Sequence, residues 1–233
     1  MCSRFTLNLG DAINLSQRLG IPLGEMTPER DRFNIAPSTG ITTLRTQAAA
    51  KLHWGLIPHW SDRNRTTSAP LINARSETVA EKPSFRTAWK KGQRCLIPTS
   101  GFYEWEKAGR ERLPWLFTRA DGEPLVFAGL WDRWQDPKDG VVIESCAVLT
   151  TTANTMLGRI HDRMPVILDS TDAKAWLDPE LDLPAATALM RPFDADRLHE
   201  TALDPYVNST RHEGPQCLTP RGKSPGAQLG FDL

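Results

Sequence analysis

Met1-Cys2-Ser3-Arg4-Phe5 opens the chain, and Cys2 is small enough that Met1 is expected to be trimmed after synthesis. Trimming would leave a free α-amine and a thiol on neighbouring carbons of one residue, a pair that no internal residue can offer. An α-amine has a pKa of about 8 against about 10.4 for a lysine, so roughly a tenth of it is neutral and nucleophilic near pH 7. An aldehyde that meets such a 1,2-aminothiol forms an imine and closes through sulfur into a five-membered thiazolidine. The competing reading of the same stretch is a frayed chain end without a role.

Three further positions hold residue types suited to proton transfer. Glu104 stands between aromatics in Gly101-Phe102-Tyr103-Glu104-Trp105. A carboxylate there either points to solvent or sits in a cleft with its pKa raised, ready for acid–base work. Asn73, in Leu71-Ile72-Asn73-Ala74-Arg75, either caps a following helix or hydrogen-bonds a ligand. His161-Asp162-Arg163 brings together a titratable ring, an acceptor and an anion-binding fork.

The elements that must position these residues are mostly strands. Asp11 to Leu19 reads as a helix stopped by Gly20, and Arg32 to Pro37 as an extended stretch ending in a turn. Ile41 to Arg45 and Leu52 to Ile57 read as strands, followed by a polar, basic loop from Trp60 to Pro70. Helical signals return at Ser76 to Ala80 and after Pro83. Strands are then expected at Cys95 to Pro98, Gly101 to Glu106, Trp115 to Arg119, Leu125 to Trp131 and Val141 to Thr151. The first two read as one strand interrupted at Pro98. In Gly101 to Glu106, period-two alternation sets Phe102, Glu104 and Glu106 on one face and Tyr103 and Trp105 on the other. Asn154 to Ile160, Thr171 to Leu177 and Ala185 to Met190 carry helical signals, Val166 to Leu168 a short strand. From Thr219 onward the chain is rich in Gly and Pro and is expected to be a loose tail. Strands that do not alternate with helices point to an α+β fold with a β-dominated core.

Composition fits this picture. The chain has 233 residues, 39% hydrophobic and 24% charged, which is usual for a globular domain with a substantial core. The longest apolar run, Pro124 to Trp131, is far too short to span a membrane, and no secretory signal is visible. Four scattered cysteines without Cys-x-x-Cys spacing argue against a zinc site or a disulfide framework and for a reducing compartment. Net charge is zero, yet residues 1–100 carry 14 Lys and Arg against 7 Asp and Glu, and the remainder 14 against 21. Such asymmetry suggests a basic face.

Six motifs in fixed order carry more information than any residue alone: Met1-Cys2-x-Arg4-Phe5, Arg32-Phe33-Asn34-Ile35-Ala36-Pro37, Trp54-Gly55-Leu56-Ile57-Pro58-x-Trp60, Asn73-Ala74-Arg75-x-Glu77, Gly101-Phe102-Tyr103-Glu104-Trp105 and His161-Asp162-Arg163-Met164-Pro165. The set resembles the SRAP family, the SOS response-associated peptidase-like proteins that crosslink to abasic sites in single-stranded DNA. The resemblance spans residues 2–218 and implies a single SRAP domain, with 219–233 left as the tail. It implies an antiparallel, barrel-like β core with short peripheral helices and the mature N-terminus in a positively lined cleft. By resemblance Cys2 is the crosslinking residue, and Asn73, Glu104 and His161 are its active-site companions. Arg4, Arg75 and Arg163 match phosphate-holding positions, and Asn34, Pro37, Trp60 and Thr150 fall along the DNA channel. The implied partner is single-stranded DNA with abasic sites. No cofactor or metal is implied, a cytoplasmic monomer is expected, and no protein partner is evident. The chain departs from the family pattern at Ser3, where glycine is common, and at Gln216, where Glu is frequent. Two other functions stay open on sequence grounds. One is an N-terminal-nucleophile hydrolase using the Cys2 thiol, and the other a non-catalytic module for single-stranded DNA.

Overall fold

A computed structural model describes residues 2–62 and 70–222. In chain order the elements are β1 (Phe5–Leu7), α1 (Leu9–Leu19), β2 (Arg32–Ile35), β3 (Gly40–Leu44), β4 (Ala49–Trp54), β5 (Asn73–Arg75), α2 (Arg86–Lys90), β6 (Arg94–Thr99), β7 (Gly101–Ala108), β8 (Glu111–Arg119), β9 (Leu125–Gln135), β10 (Val142–Thr152), β11 (Arg163–Pro165), α3 (Ser170–Leu177), α4 (Leu183–Leu189) and β12 (Leu198–Ala202). The architecture is α+β and strand-dominated, as expected. No helix among the described residues is long and apolar enough to cross a membrane.

One sheet runs β12-β8-β7-β1-β2. In the other, β10-β4-β3-β6-β9 closes on itself, because β9 also pairs with β10, and the result is a five-stranded barrel. Closure leaves these five strands without a free edge. Pairing is antiparallel except where β10 runs parallel to β4 and β5. Strand β10 is long enough to serve twice. Its first half closes the barrel against β9, and its last residues hold β5 and β11. The sheet packs onto the barrel through aromatic side chains. Phe5 lies 5.2 Å from Trp54 and 6.3 Å from Phe127, and Phe102 lies 5.7 Å from Phe127 and 5.3 Å from Phe117. Each such buried ring contributes about 2–3 kcal/mol of transfer free energy.

Local sequence explains the helix ends. Asn8 accepts from the Asp11 N–H at 2.7 Å and so starts α1 two residues before the apolar pattern begins. Gly20 ends it in the left-handed region at φ 72°.

Several segments differ from expectation. Ser76 to Ala80 forms successive turns rather than a helix. The Ser76 N–H is drawn to the Thr150 carbonyl at 2.8 Å, and the β-branched Thr78 and Val79 add little helical preference of their own. Strands β6 and β7 belong to different sheets, and the break falls at Ser100. Pro98 stays inside β6, paired with Val126. Asn154 to Ile160 holds a single 3₁₀ turn at Leu157–Arg159. The short strand begins at Arg163 rather than Val166, where β10 offers partners, and Ile167 makes only an isolated bridge to Phe127. Residues 219–221 are tied down: Leu203 bridges Pro220, and the Arg221 N–H donates to the Ala202 carbonyl at 2.9 Å. The rest of the expected tail, 223–233, and the loop residues 63–69 lie outside the described residues.

Gly101 shows how tightly β7 is seated. A Cβ there would stand 2.9 Å from the Phe117 carbonyl oxygen and 2.9 Å from Thr118 Cγ2. Gly101→Ala is therefore expected to cost about 1–3 kcal/mol by overpacking. Urea denaturation checks this, and unchanged stability would mean that β7 and β8 have room to part.

Candidate active site at the N-terminus

β1 is only three residues long, yet it lies between β2 and β7 inside its sheet. Phe5 faces Phe102 and Thr6 faces Gly101, and the Tyr103 N–H donates to the Arg4 carbonyl at 3.0 Å. Followed backwards, this antiparallel register brings Ser3 level with Glu104. The alternation along β7 then decides where each side chain goes. Phe102 faces the main core, and Tyr103 faces a second apolar cluster with Leu203, Val207 and Cys217. Glu104 turns back to the inner face and is only 4% exposed.

Burial and charge set the ionisation of this group. Glu104 is pushed up to about 7, first by burial, against the opposing pull of the amino-terminal charge. Cys2 is fully buried, with Sγ 3.9 Å from the Arg4 carbonyl oxygen. Burial, reinforced by the Glu104 carboxylate, raises its thiol far above the ordinary range. The resting sulfur is therefore a protonated thiol. Burial lowers His161, and the amino-terminal charge lowers it further, so its ring is neutral near pH 7.

Asn73 opens β5, which β10 holds in parallel register with Asn73 opposite Val148. Its Nδ2 donates to the Cys2 carbonyl at 2.9 Å. Its Oδ1 is buried and has no hydrogen-bond partner among the described residues. No helix follows for Asn73 to cap. His161 follows the 3₁₀ turn, and its Nδ1 accepts from the Arg163 N–H at 2.9 Å, which sets the proton of the neutral ring on Nε2. Cys2, Asn73 and Glu104 converge between sheet and barrel, and His161 stands two residues before β11, which β10 holds along with β5, the strand that Asn73 opens.

The positions matched to DNA contacts fall into two groups. Arg75 is exposed at the end of β5, Trp60 is 47% exposed and Pro37 is half-buried. Trp60 also borders a cleft of about 640 Å³ shared with Ser38, His53, Leu71 and Trp134, which none of Cys2, Asn73, Glu104 and His161 lines. Arg4, Asn34, Thr150 and Arg163 are buried instead. Arg4 donates to Asn34 Oδ1 at 2.5 Å and to the Val207 and Asn208 carbonyls at 3.1 Å each, and it lies over the Trp105 ring. Asn34 Nδ2 donates to the Ser209 and His212 carbonyls at 2.9 Å. These two side chains strap residues 207–212 across the outer face of the sheet. Arg163 forks onto Glu77 at 2.6 and 2.8 Å and donates to the Thr150 carbonyl at 2.7 Å. The parts that sequence reasoning missed are Glu77 and the strap. Their partners lie 86 and more than 170 residues away, a distance at which no local pattern gives a signal.

A closed β barrel flanked by a sheet whose inner strand follows a buried Cys2, held close to an asparagine and a glutamate of raised pKa, defines a protein with a strand-built polar site at the start of its chain. The family model described as "SOS response associated peptidase (SRAP)" matches residues 1–210, and the chain belongs to that family. It is 36% identical over 229 residues to the abasic site processing protein YoqW of Bacillus subtilis, covering 94% of this chain and 99% of that one. It is 32% identical over 190 residues to the abasic site processing protein HMCES of Xenopus tropicalis, covering 72% of this chain and 56% of that one. A crystal structure of a protein from Bacteroides thetaiotaomicron superposes with a TM-score of 0.84 at 26% identity, over 93% of this chain and 98% of that one.

The raised Glu104 has a consequence for stability. Its folded-state value of about 7 lies above the ordinary 4.5, so the folded protein keeps a proton that the unfolded chain releases. Stability is complete below the ordinary value and declines as pH rises through about 7. Glu104→Gln, which stays neutral, should gain on the wild type between about pH 5 and pH 8 by on the order of 3 kcal/mol. Urea melts at both ends of that range test it, and parallel stability curves would mean that the carboxyl is in water.

Proposed function

We propose that the protein captures abasic sites in single-stranded DNA through Cys2, once Met1 is removed, as a covalent thiazolidine. The observation that carries this reading is the buried Glu104 carboxyl, poised near neutrality beside the Cys2 stretch. The names of the relatives YoqW and HMCES support abasic DNA as the target.

The ring-opened abasic sugar supplies an aldehyde. The neutral Cys2 amine adds to it, and Glu104 protonates the carbinolamine oxygen so that it leaves as water and an imine remains. The thiol then adds to the imine carbon. Its proton passes to the Glu104 carboxylate and restores the carboxyl, while the protonated imine nitrogen keeps the hydrogen it carries and becomes the neutral ring N–H, so the sequence is redox-neutral and loses one water. A buried thiol that stays protonated at rest is shielded from stray oxidation, and it reacts only when an electrophile is fixed beside it. Asn73 Oδ1, buried and unpartnered among the described residues, suits a hydroxyl of the opened sugar as donor. His161 moves protons during imine formation. Arg75 reaches phosphate, Trp60 and Pro37 take neighbouring bases, and Arg4, Asn34, Thr150 and Arg163 shape the channel from behind.

Intact-mass measurement after incubation with abasic and unmodified strands tests the scheme. The wild type should gain the mass of the abasic strand less one water, with attachment at residue 2, and Cys2→Ala should give no stable adduct. Attachment elsewhere refutes it. Cysteine-dependent amide cleavage without an adduct would put the hydrolase reading in its place. The crosslinking rate should follow a bell in pH. It falls above about 7 as Glu104 loses the proton it donates and falls at lower pH as the amine becomes protonated. A rate that keeps rising through pH 9 would remove Glu104 as the acid.

A further inference from the structure

We infer that Glu77 is a positioning residue that acts through Arg163 to fix the ring tautomer of His161, a role that rests on the crosslinking reading above. Glu77 sits in the turn that leaves β5. Its two carboxylate oxygens take both terminal nitrogens of Arg163, at 2.6 and 2.8 Å, in the planar fork geometry that sets the guanidinium's orientation as well as its position. Arg163 is 6% exposed while the Glu77 side chain is 47% exposed, so water screens the pair from the Glu77 side only, and its hold rests on the two-point fork geometry. A third bond, from Arg163 to the Thr150 carbonyl, pins the same group from the β10 side. The Ser76 N–H donates to that carbonyl as well, at 2.8 Å.

The Arg163 backbone is held by the pairing of β11 with β10, where Arg163 faces Thr152, and the clamped side chain adds a second hold on the same residue, whose backbone N–H donates to His161 Nδ1 at 2.9 Å. A ring nitrogen that accepts carries no proton, so Nε2 carries it. A competitor stands at the same place. The Asp162 carboxylate lies 2.9 Å from Nδ1 and would accept a proton there, which favours the opposite tautomer. Its side chain is 80% exposed, so water screens its pull and the Arg163 N–H prevails while Arg163 is held. Glu77 thereby decides whether the imidazole offers a proton or a lone pair at Nε2. The same clamp ties the turn after Asn73 to the strand that follows His161, so two of the three active-site companions of Cys2 share one anchor.

The test is Glu77→Gln, which keeps the shape and removes the charge. Nitrogen-15 NMR of the His161 ring without DNA should give the Nε2–H tautomer in the wild type and a mixture in the variant. The crosslinking rate constant at saturating abasic single strand should fall about tenfold. Affinity for a strand bearing a stable tetrahydrofuran abasic analogue should stay within twofold. In a His161→Ala background the same substitution should cost nothing further. An unchanged tautomer, or a further tenfold loss without His161, overturns the inference. Lost affinity at an unchanged rate constant overturns it too, and makes Glu77 a determinant of DNA contact. If the wild type forms no adduct, the crosslinking reading fails, while the tautomer comparison still decides whether Glu77 governs His161.

Discussion

A carboxyl group withheld from water beside the first residues of the chain is the constraint on which the rest of this structure depends. Strand β7 cannot place Glu104 anywhere else. Phe102 is locked among Phe117 and Phe127, Tyr103 is buried on the opposite face with its hydroxyl donating to the Phe33 carbonyl at 2.6 Å, and alternation does the rest. Desolvating a carboxyl is unfavourable. Burial is offset in part by letting the group protonate near neutrality. Arg4 and Arg163 are engaged elsewhere, Arg4 with the strap and Arg163 with Glu77. Had either faced Glu104, the carboxyl would be held ionised and unable to give a proton at neutral pH.

The charge asymmetry of the sequence does not translate cation by cation into a basic face. Several of the cations in the first hundred residues are internal braces. Arg94 donates to the Trp176 and Asp178 carbonyls at 2.8 and 2.7 Å, joining β6 to the end of α3. Arg45 forks onto Glu144 and stacks over Trp131. Arg4 serves the strap. A guanidinium with five donors is well suited to collecting backbone carbonyls where loops cross a sheet, and formal charge counts do not distinguish such an arginine from one facing solvent. Arg75, by contrast, is exposed, and it stands two residues from Asn73.

Much of the fold was legible because it rests on short-range rules. The alternation through Phe102 to Trp105 set the face of Glu104, and Gly20 marked the end of α1. Strands β3, β8, β9 and β10 fell where β-branched and aromatic runs put them, whereas β4 runs Ala49–Trp54, three residues before the expected Leu52 to Ile57, where its pairing with β3 sets it. What stayed hidden were decisions made across long sequence separation. The helix read at Ser76 to Ala80 yielded because β10 claimed the Ser76 N–H. The join at Pro98 was misread because proline can remain in a strand wherever its missing donor is not needed. At the site, the residue types were visible, yet their burial was not. Glu104 stood open between cleft and solvent until the register of β1 against β7 fixed it, and Arg163 read as an anion fork with nothing in the sequence to say that Glu77 already filled it.

The site also departs from what stability alone would select. Asn73 Oδ1 is buried without a partner among the described residues, a state that costs about 1–3 kcal/mol relative to a bonded amide. Glu104 adds its own pH-dependent cost. Both sit within reach of the Cys2 stretch, whereas the outer strap is densely bonded through Arg4 and Asn34. In the proposed reaction this contrast has a purpose. With Met1 removed, the terminal amine of the proposed reaction is that of Cys2, and closing the thiazolidine turns it into a less basic secondary amine, so less positive charge stands beside Glu104. The carboxyl then holds its proton more firmly, and the finished adduct sits among neutral groups in a place where water has little access. The arrangement that is costly while the pocket waits for an aldehyde becomes favourable once the ring has closed.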